Sequence, residues 1–154
     1  MHPLYRQRRG GVLLHLTSLP GPLPHGQICH DAYRFIEFLQ QAGITVWQIL
    51  PPGPTHADGS PYLALSAHAG DPNLISLDWL KDRHLLQFNE KASTFEQHNQ
   101  LLQKAWQCFR DTKHQLQLSY NHFVEEEKDW LDDFALFMVP VSYTHLRAHE
   151  TKAN

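Results

Sequence analysis

Cysteines are scarce in this sequence, and so are long apolar runs. Only Cys29 and Cys108 occur among the 154 residues, with no Cys-x-x-Cys pair. A disulfide framework is therefore excluded, and two reduced thiols are expected. No apolar run approaches the roughly 18–20 residues that a membrane helix needs. The start, "MHPLYRQRRGGVLLHL", lacks the long apolar stretch and cleavage site of a signal peptide. We expect a cytoplasmic protein without a membrane partner.

An excess of positive charge is also missing. The chain has 13 Lys and Arg against 16 Asp and Glu, a formal net charge of -3, and its basic residues are scattered. Nucleic acid is therefore not expected as a partner. With 42% hydrophobic and 19% charged residues, the composition is typical of a soluble globular domain rather than a disordered chain.

The familiar signatures of catalysis and cofactor binding do not occur. There is no Gly-x-Ser-x-Gly elbow, phosphate loop or dinucleotide fingerprint, and no His-Glu-x-x-His motif upstream of residue 140. No metal and no cofactor are expected. Asp132 and Asp133 are adjacent, so on a helix they point about 100° apart and cannot work as a facing pair. The residues therefore offer no convincing pair of catalytic carboxylates.

The N-terminal half has the pattern of a βαβ unit. Short apolar runs at Gly10 to Leu16 and Ile44 to Leu50 predict two buried strands. Between them, apolar residues at helical spacing predict a helix that Asp31 caps and Gly43 ends. These apolar positions are Ala32, Phe35, Ile36 and Leu39. Such a unit gives parallel strands with a right-handed crossover, and hence an α/β fold.

Two long loops follow the predicted strands, at Thr17 to His30 and Pro51 to Pro72. In parallel α/β folds, ligands bind at the edge formed by the C-terminal ends of the strands. Most loops of this class are short, so the unusual length of these two loops indicates that they bind a ligand. The alternative is that the loops have no function. Beyond them the sequence predicts helices, one capped by Asp78 and the next by Ser93 or Thr94.

The second loop carries a candidate binding site in "HADGSPYLALSAHAG". Asp58, Ser60 and Tyr62 place a carboxylate, a hydroxyl and a phenol within one turn. Sugars need hydrogen-bond donors and acceptors for their hydroxyls and aromatic faces for their rings. A plain Asp-Gly turn explains the same residues equally well.

Several uncommon sequence motifs that occur in one fixed order indicate a family resemblance. "GVLLHLTSLPGP", "DAYRFIEFLQQAGITVWQILPPGPTHADGSPY" and "SAHAGDPNLISLDWL" resemble the N-terminal part of the 4-alpha-glucanotransferases, also called amylomaltases or disproportionating enzymes. The resemblance covers about residues 8 to 138. Departures from the family pattern are "LPHGQICH", which keeps only Gly26 of a Gly-Ile-Gly-Asp run, Leu63 in place of Gln, and Asp71 in place of Asn.

The resemblance implies an eight-stranded β/α barrel with helical insertions. It also implies transfer of α-1,4-glucan segments between maltooligosaccharides, through a covalent glycosyl-enzyme and without metal or nucleotide. Ser60 and Tyr62 match the family's Ser-Pro-Tyr, which contacts the donor sugar, and Asp58 is added as their neighbour. The family's catalytic carboxylates lie downstream of the matched part.

The chain is accordingly expected to be a truncated piece of that barrel. Residues 1–140 are predicted to form its incomplete N-terminal portion, with an open apolar edge, poor solubility and no transferase activity. Residues 141–154 resemble a translated sequencing adapter and are predicted to be an artefactual tail. The alternatives are a stand-alone α-glucan-binding module without catalysis and a helix-rich scaffold protein. Oligomeric state is not predicted.

Overall fold

The computed structural model describes residues 8–56, 58–111 and 115–150, with backbone alone for 140–150. Within this part the chain forms two strands and five α-helices. Two 3-10 turns, Leu16–Ser18 and Pro72–Leu74, interrupt the long loops. In chain order the regular elements are β1 Gly11–Leu13, α1 His30–Gln41, β2 Val46–Gln48, α2 Leu77–Asp82, α3 Phe95–Asp111, α4 Gln117–Glu126 and α5 Lys128–Glu150.

The predicted βαβ unit is present. β1 and β2 pair in parallel, with Val12 opposite Trp47, and α1 crosses between them. Both strands are shorter than the apolar runs that predicted them. The chain leaves β1 after Leu13 and enters a 3-10 turn at Leu16.

α1 ends as predicted and begins differently. Gly43 has φ +70, the left-handed conformation that favours glycine after a helix. The prediction that Asp31 caps the helix is wrong, because Cys29 is the N-cap and gives no side-chain cap bond. Asp31 lies in the first turn, where its negative charge still interacts favourably with the helix dipole.

The core between the sheet and α1 is small. Trp47 connects the two: its ring meets Phe35 edge-on at 5.0 Å between centroids, and its Nε1 donates to the Leu14 carbonyl over 2.7 Å. The residues of this core are Leu16, Leu19, Ala32 and Leu74, with Leu14, Phe35 and Trp47 packed against them.

The next two helices have side-chain caps. Ser76 caps α2 by accepting from the Trp79 N–H, so the prediction of Asp78 as the cap is wrong, and Asp78 lies in the first turn. Thr94 fulfils the prediction for α3, since its Oγ1 accepts from the Gln97 N–H over 3.2 Å. The caps satisfy N–H groups that have no partner inside the helix.

Chain contacts divide the protein into two compact units, Met1–Thr112 and Lys113–Asn154. The second unit contains α4 and α5, and Glu127 lies between these two helices. The backbone of α5 continues into the predicted artefactual tail as far as Glu150, and 151–154 lie outside the described residues. Within the described part, none of the helices combines the length and apolarity needed to cross a membrane.

The first unit exposes apolar side chains on its sheet and on α1. Leu13 is 60% exposed and Phe38 59% exposed, and Tyr33, Ile36 and Val46 are exposed as well. Leu13 and Val46 alternate with Val12 and Trp47 along their strands, so they lie on the sheet face turned away from α1. The prediction of two buried strands is therefore wrong for this face of the sheet, and the exposed apolar side chains lie on a face where an open apolar edge was predicted.

Candidate functional site

Both long loops leave the same edge of the sheet. Because β1 and β2 are parallel, the chain departs from the C-terminal end of each strand in the same direction. We call residues 17–29 the first loop and residues 51–71 the second loop. The predicted binding residues all lie in the second loop.

The base of the second loop is closed by backbone hydrogen bonds. The Asp71 N–H donates to the Pro52 carbonyl over 2.8 Å, and the Leu65 N–H donates to the Pro54 carbonyl over 2.7 Å. An isolated antiparallel bridge joins Thr55 to Ala64. The chain between these bonds therefore projects as a closed excursion rather than a loose connection.

The tip of the second loop is built from two successive turns. Gly59 has φ +69 and donates its N–H to the His56 carbonyl over 2.9 Å, a conformation that glycine adopts without strain. Asp58 Oδ1 accepts from the Ser60 N–H over 3.2 Å, and the Ser60 carbonyl accepts from the Leu63 N–H over 3.2 Å. Asp58 therefore takes the turn-forming role that the sequence left open as an alternative.

The structure brings Asp58, Ser60 and Tyr62 together on this tip. Tyr62 is 77% exposed, and Ser60 is partly exposed. The backbone of the tip is held by its own hydrogen bonds while the phenol ring is accessible. Such an arrangement suits a ligand with a flat apolar face and several hydroxyls.

The first loop is packed against the segment that follows the second. The Ile28 N–H donates to the Leu74 carbonyl over 2.9 Å, and the Gly26 N–H donates to the Thr17 carbonyl over 3.1 Å. Gly26 is also where the backbone packs too tightly for a side chain, since a Cβ there would lie 2.7 Å from the Leu19 carbonyl oxygen. The Gly26 contacts hold the first loop together, and the Ile28 bond ties it to the segment that follows the second loop.

Two buried polar side chains, one in the first loop and one in α3, were not predicted from the sequence. Gln27 is 1% exposed and His98, from α3, is 0% exposed. Their side-chain nitrogens lie 3.0 Å apart. A glutamine in a Pro/Gly-rich loop and a histidine in an amphipathic helix carry no sequence signal that would pair them across 71 positions.

Burial decides the charge of this histidine. Desolvation lowers the pKa of His98 below 6.5. The Ile75 carbonyl and Asp71 favour the charged form, while His25 adds to the lowering. Burial likewise lowers the pKa of His15, at the end of β1. Both imidazoles are therefore neutral near pH 7.

The described carboxylates in the loops accept hydrogen bonds from nearby backbone N–H groups. Asp71 Oδ1 accepts from the Asn73 N–H over 2.9 Å, much as Asp58 accepts from Ser60. Over the ranges that the structure describes, no three His, Cys, Asp or Glu side chains are close enough to form a metal site. The arrangement offers hydrogen bonding and ring stacking rather than a reacting pair of acids.

Comparison with known proteins gives one consistent family. A sequence model of the family described as 4-alpha-glucanotransferase matches residues 14–153. The 4-alpha-glucanotransferase of Clostridium butyricum is 38% identical over 139 residues, which cover 81% of this chain and 28% of that protein. That of Aquifex aeolicus is 38% identical over 143 residues, covering 85% of this chain and 28% of the relative.

A solved structure agrees with the sequence comparison. The amylomaltase from Streptococcus agalactiae in complex with acarbose matches with a TM-score of 0.77 at 33% identity, over 89% of this chain and 30% of that one. The predicted fold class is thereby confirmed: an α/β arrangement with helical insertions that corresponds to part of a β/α barrel. The chain spans about 28% of the length of the curated relatives it matches first.

Proposed function

The chain belongs to the 4-alpha-glucanotransferase family, and from that premise we propose that it serves the transfer of α-1,4-glucan segments between maltooligosaccharides. The transfer follows a retaining, covalent mechanism, and the part of the fold present in this chain binds the glucan. The observation that carries the proposal is the exposed Tyr62, held beside Ser60 on a hydrogen-bonded tip at the C-terminal edge of parallel strands.

Each of these residues has a role that fits a glucan. The Tyr62 ring stacks on the C–H face of a glucose unit, which aromatic side chains favour. The Ser60 hydroxyl can donate to and accept from sugar hydroxyls. Asp58 Oδ1 is held by the Ser60 N–H, and its second oxygen accepts from a sugar hydroxyl. The acarbose bound in the Streptococcus agalactiae amylomaltase makes a maltooligosaccharide the natural ligand to try.

Binding without cleavage is proposed for the chain itself. A retaining glycosidic reaction needs a nucleophile and an acid/base about 5–5.5 Å apart. Asp58 and Asp71 each use one carboxylate oxygen to accept a backbone N–H within a turn, which makes them turn formers rather than a reacting pair. We also propose a cytoplasmic location, because Cys29 and Cys108 are thiols rather than a disulfide.

Binding is tested by titrating the chain with maltoheptaose in a calorimeter. Tyr62→Ala is expected to weaken binding about tenfold, the effect of losing roughly 1.4 kcal/mol of stacking. Phe88→Ala is the matched control, because Phe88 is 71% exposed and lies outside both loops. Equal affinities of wild type and Tyr62→Ala would show that Tyr62 does not contact the glucan. A wild type that binds no maltoheptaose would contradict the proposed function.

Catalysis is tested separately with maltotriose. The chain alone is expected to release no glucose and to form no longer maltodextrins. Production of glucose above a heat-denatured control would show that this chain contains a complete catalytic site, and the division between binding and cleavage would be wrong.

A further inference from the structure

Among the side chains that the structure describes, the two large ones buried most completely are polar. Gln27 is 1% and His98 0% exposed. Burying an amide and an imidazole costs free energy unless hydrogen bonds replace those to water. An apolar pair of similar volume would avoid burying these two polar side chains, but it would also remove hydrogen bonds from the carbonyls of Asn73 and Ile75. The pair is therefore tied to the position of the backbone carbonyls that it bonds.

The hydrogen bonds around the pair converge on one short segment. Gln27 Nε2 lies 2.8 Å from the Asn73 carbonyl oxygen and 3.0 Å from that of Ile75. His98 Nε2 lies 2.9 Å from the same Ile75 oxygen. The two carbonyls belong to the segment that follows the second loop, whereas Gln27 belongs to the first loop and His98 to α3.

The donors and acceptors have one consistent assignment. The Gln27 amide has two N–H groups, which suit the carbonyls of Asn73 and Ile75. His98 then carries its proton on Nε2 and donates to the Ile75 carbonyl, so the Gln27 and His98 nitrogens, 3.0 Å apart, both donate to that carbonyl and not to each other. Its Nδ1 is buried and, within the described residues, makes no hydrogen bond. A second proton there would be unsatisfied, so the network fits the neutral imidazole.

We propose that Gln27 and His98 are positioning residues that fix the first loop against the segment following the second, and so set the arrangement of both loops for glucan binding. The inference rests on the proposed function. Neither side chain touches the glucan, because both are fully buried. They act through the Ile28 N–H bond to Leu74, which ties the same two segments directly next to them.

Hydrogen exchange measures the loop arrangement without any sugar. The variants are Gln27→Leu, His98→Leu and the double variant, which remove the polar pair and keep an apolar core. The Ile28 amide is expected to exchange at least about tenfold faster in each. Leu39→Ala is the control, because Leu39 is 4% exposed in α1 and its loss lowers overall stability without touching the pair. The Ile28 amide should keep its protection relative to neighbouring amides in that control.

Maltoheptaose affinity supplies the second readout. The leucine variants are expected to bind about tenfold more weakly, while Leu39→Ala binds as wild type below its melting temperature. His98→Gln is expected to restore both affinity and Ile28 protection, since a glutamine Nε2 can donate to Ile75 from the same place. This variant keeps the test decisive if a leucine variant does not fold.

The outcomes separate the two claims. Leucine variants with wild-type Ile28 protection overturn the positioning role, and so do variants that lose protection yet bind maltoheptaose as wild type does. A wild-type chain that binds no maltoheptaose overturns the proposed function instead, and the exchange rates still report whether the pair holds the loops. Failure of His98→Gln to restore protection also counts against the pair.

Discussion

Gly26→Ala is the sharpest single test of how the first loop is held. A Cβ at this position would lie 2.7 Å from the Leu19 carbonyl oxygen and 2.9 Å from the Leu19 Cβ, and closer still to the Leu16 carbonyl oxygen. Real Cβ atoms essentially never approach other atoms within 3.0 Å. Two of the obstacles are backbone oxygens, that of the buried Leu16 at the start of the 3-10 turn and that of Leu19 directly after it. No side-chain rotation can relieve the contact.

The cost has two parts. Forcing one extra carbon into a packed site typically destabilises by about 1–3 kcal/mol. Moving Gly26 away from the turn also stretches its N–H bond to the Thr17 carbonyl, worth about 1 kcal/mol. We therefore expect Gly26→Ala to lower the free energy of unfolding by about 2–4 kcal/mol.

Urea unfolding followed by tryptophan fluorescence measures this loss. With a slope near 2 kcal/mol per molar urea, the midpoint should fall by about 1–2 M. Gly70→Ala is the matched control: nothing lies within 4 Å of its added Cβ, so its effect should stay within about 0.5 kcal/mol of wild type. If Gly26→Ala unfolds at the wild-type midpoint, the close packing of the first loop on the turn is wrong.

Three further results are expected. Burial lowers the pKa of His98 and His15 below 6.5, so the unfolded chain binds protons at a higher pH than the folded chain does. The urea midpoint should therefore stay constant above about pH 6.5 and decline below it, and a flat profile would refute this. Trp47→Phe removes the 2.7 Å bond to the Leu14 carbonyl and should cost about 1–2 kcal/mol in urea unfolding. Leu13→Ser should reduce self-association in light scattering while unfolding within about 0.5 kcal/mol of wild type, because Leu13 is 60% exposed.

The sequence pattern predicted the βαβ unit because its signals are local. Apolar runs, helical spacing and a glycine at a helix end act over a few residues, and Gly43 is left-handed as expected. The caps were misplaced for the same reason. Asp31 and Asp78 lie in the first turns of their helices, where an acidic residue is as favourable as at the cap itself. Sequence alone does not separate the two positions.

The contacts beneath the site could not be predicted. Gln27 and His98 meet across 71 positions, and nothing in a loop glutamine or a helical histidine indicates burial. The tip of the second loop was accessible to prediction, because Asp58 and Gly59 are turn formers in a fixed order. An Asp-Gly turn forms with or without a sugar, so the turn itself does not identify a ligand. The glucan ligand is inferred from the family resemblance and is tested by the proposed experiments.

The distribution of order across the second loop bears directly on how it could bind. Its base is tied by the Asp71 and Leu65 N–H groups and its tip by two turns, yet Tyr62 at that tip is 77% exposed. A loop whose backbone is ordered before the ligand arrives loses less conformational entropy on binding than one that must fold around it. The Tyr62 phenol ring, with two side-chain torsions, and the Ser60 hydroxyl then remain to be fixed. An exposed aromatic on an ordered turn therefore loses less entropy on binding a glucan than the same residue on a loose loop. In the proposed arrangement, the buried pair Gln27 and His98 orders the first loop at the same sheet edge.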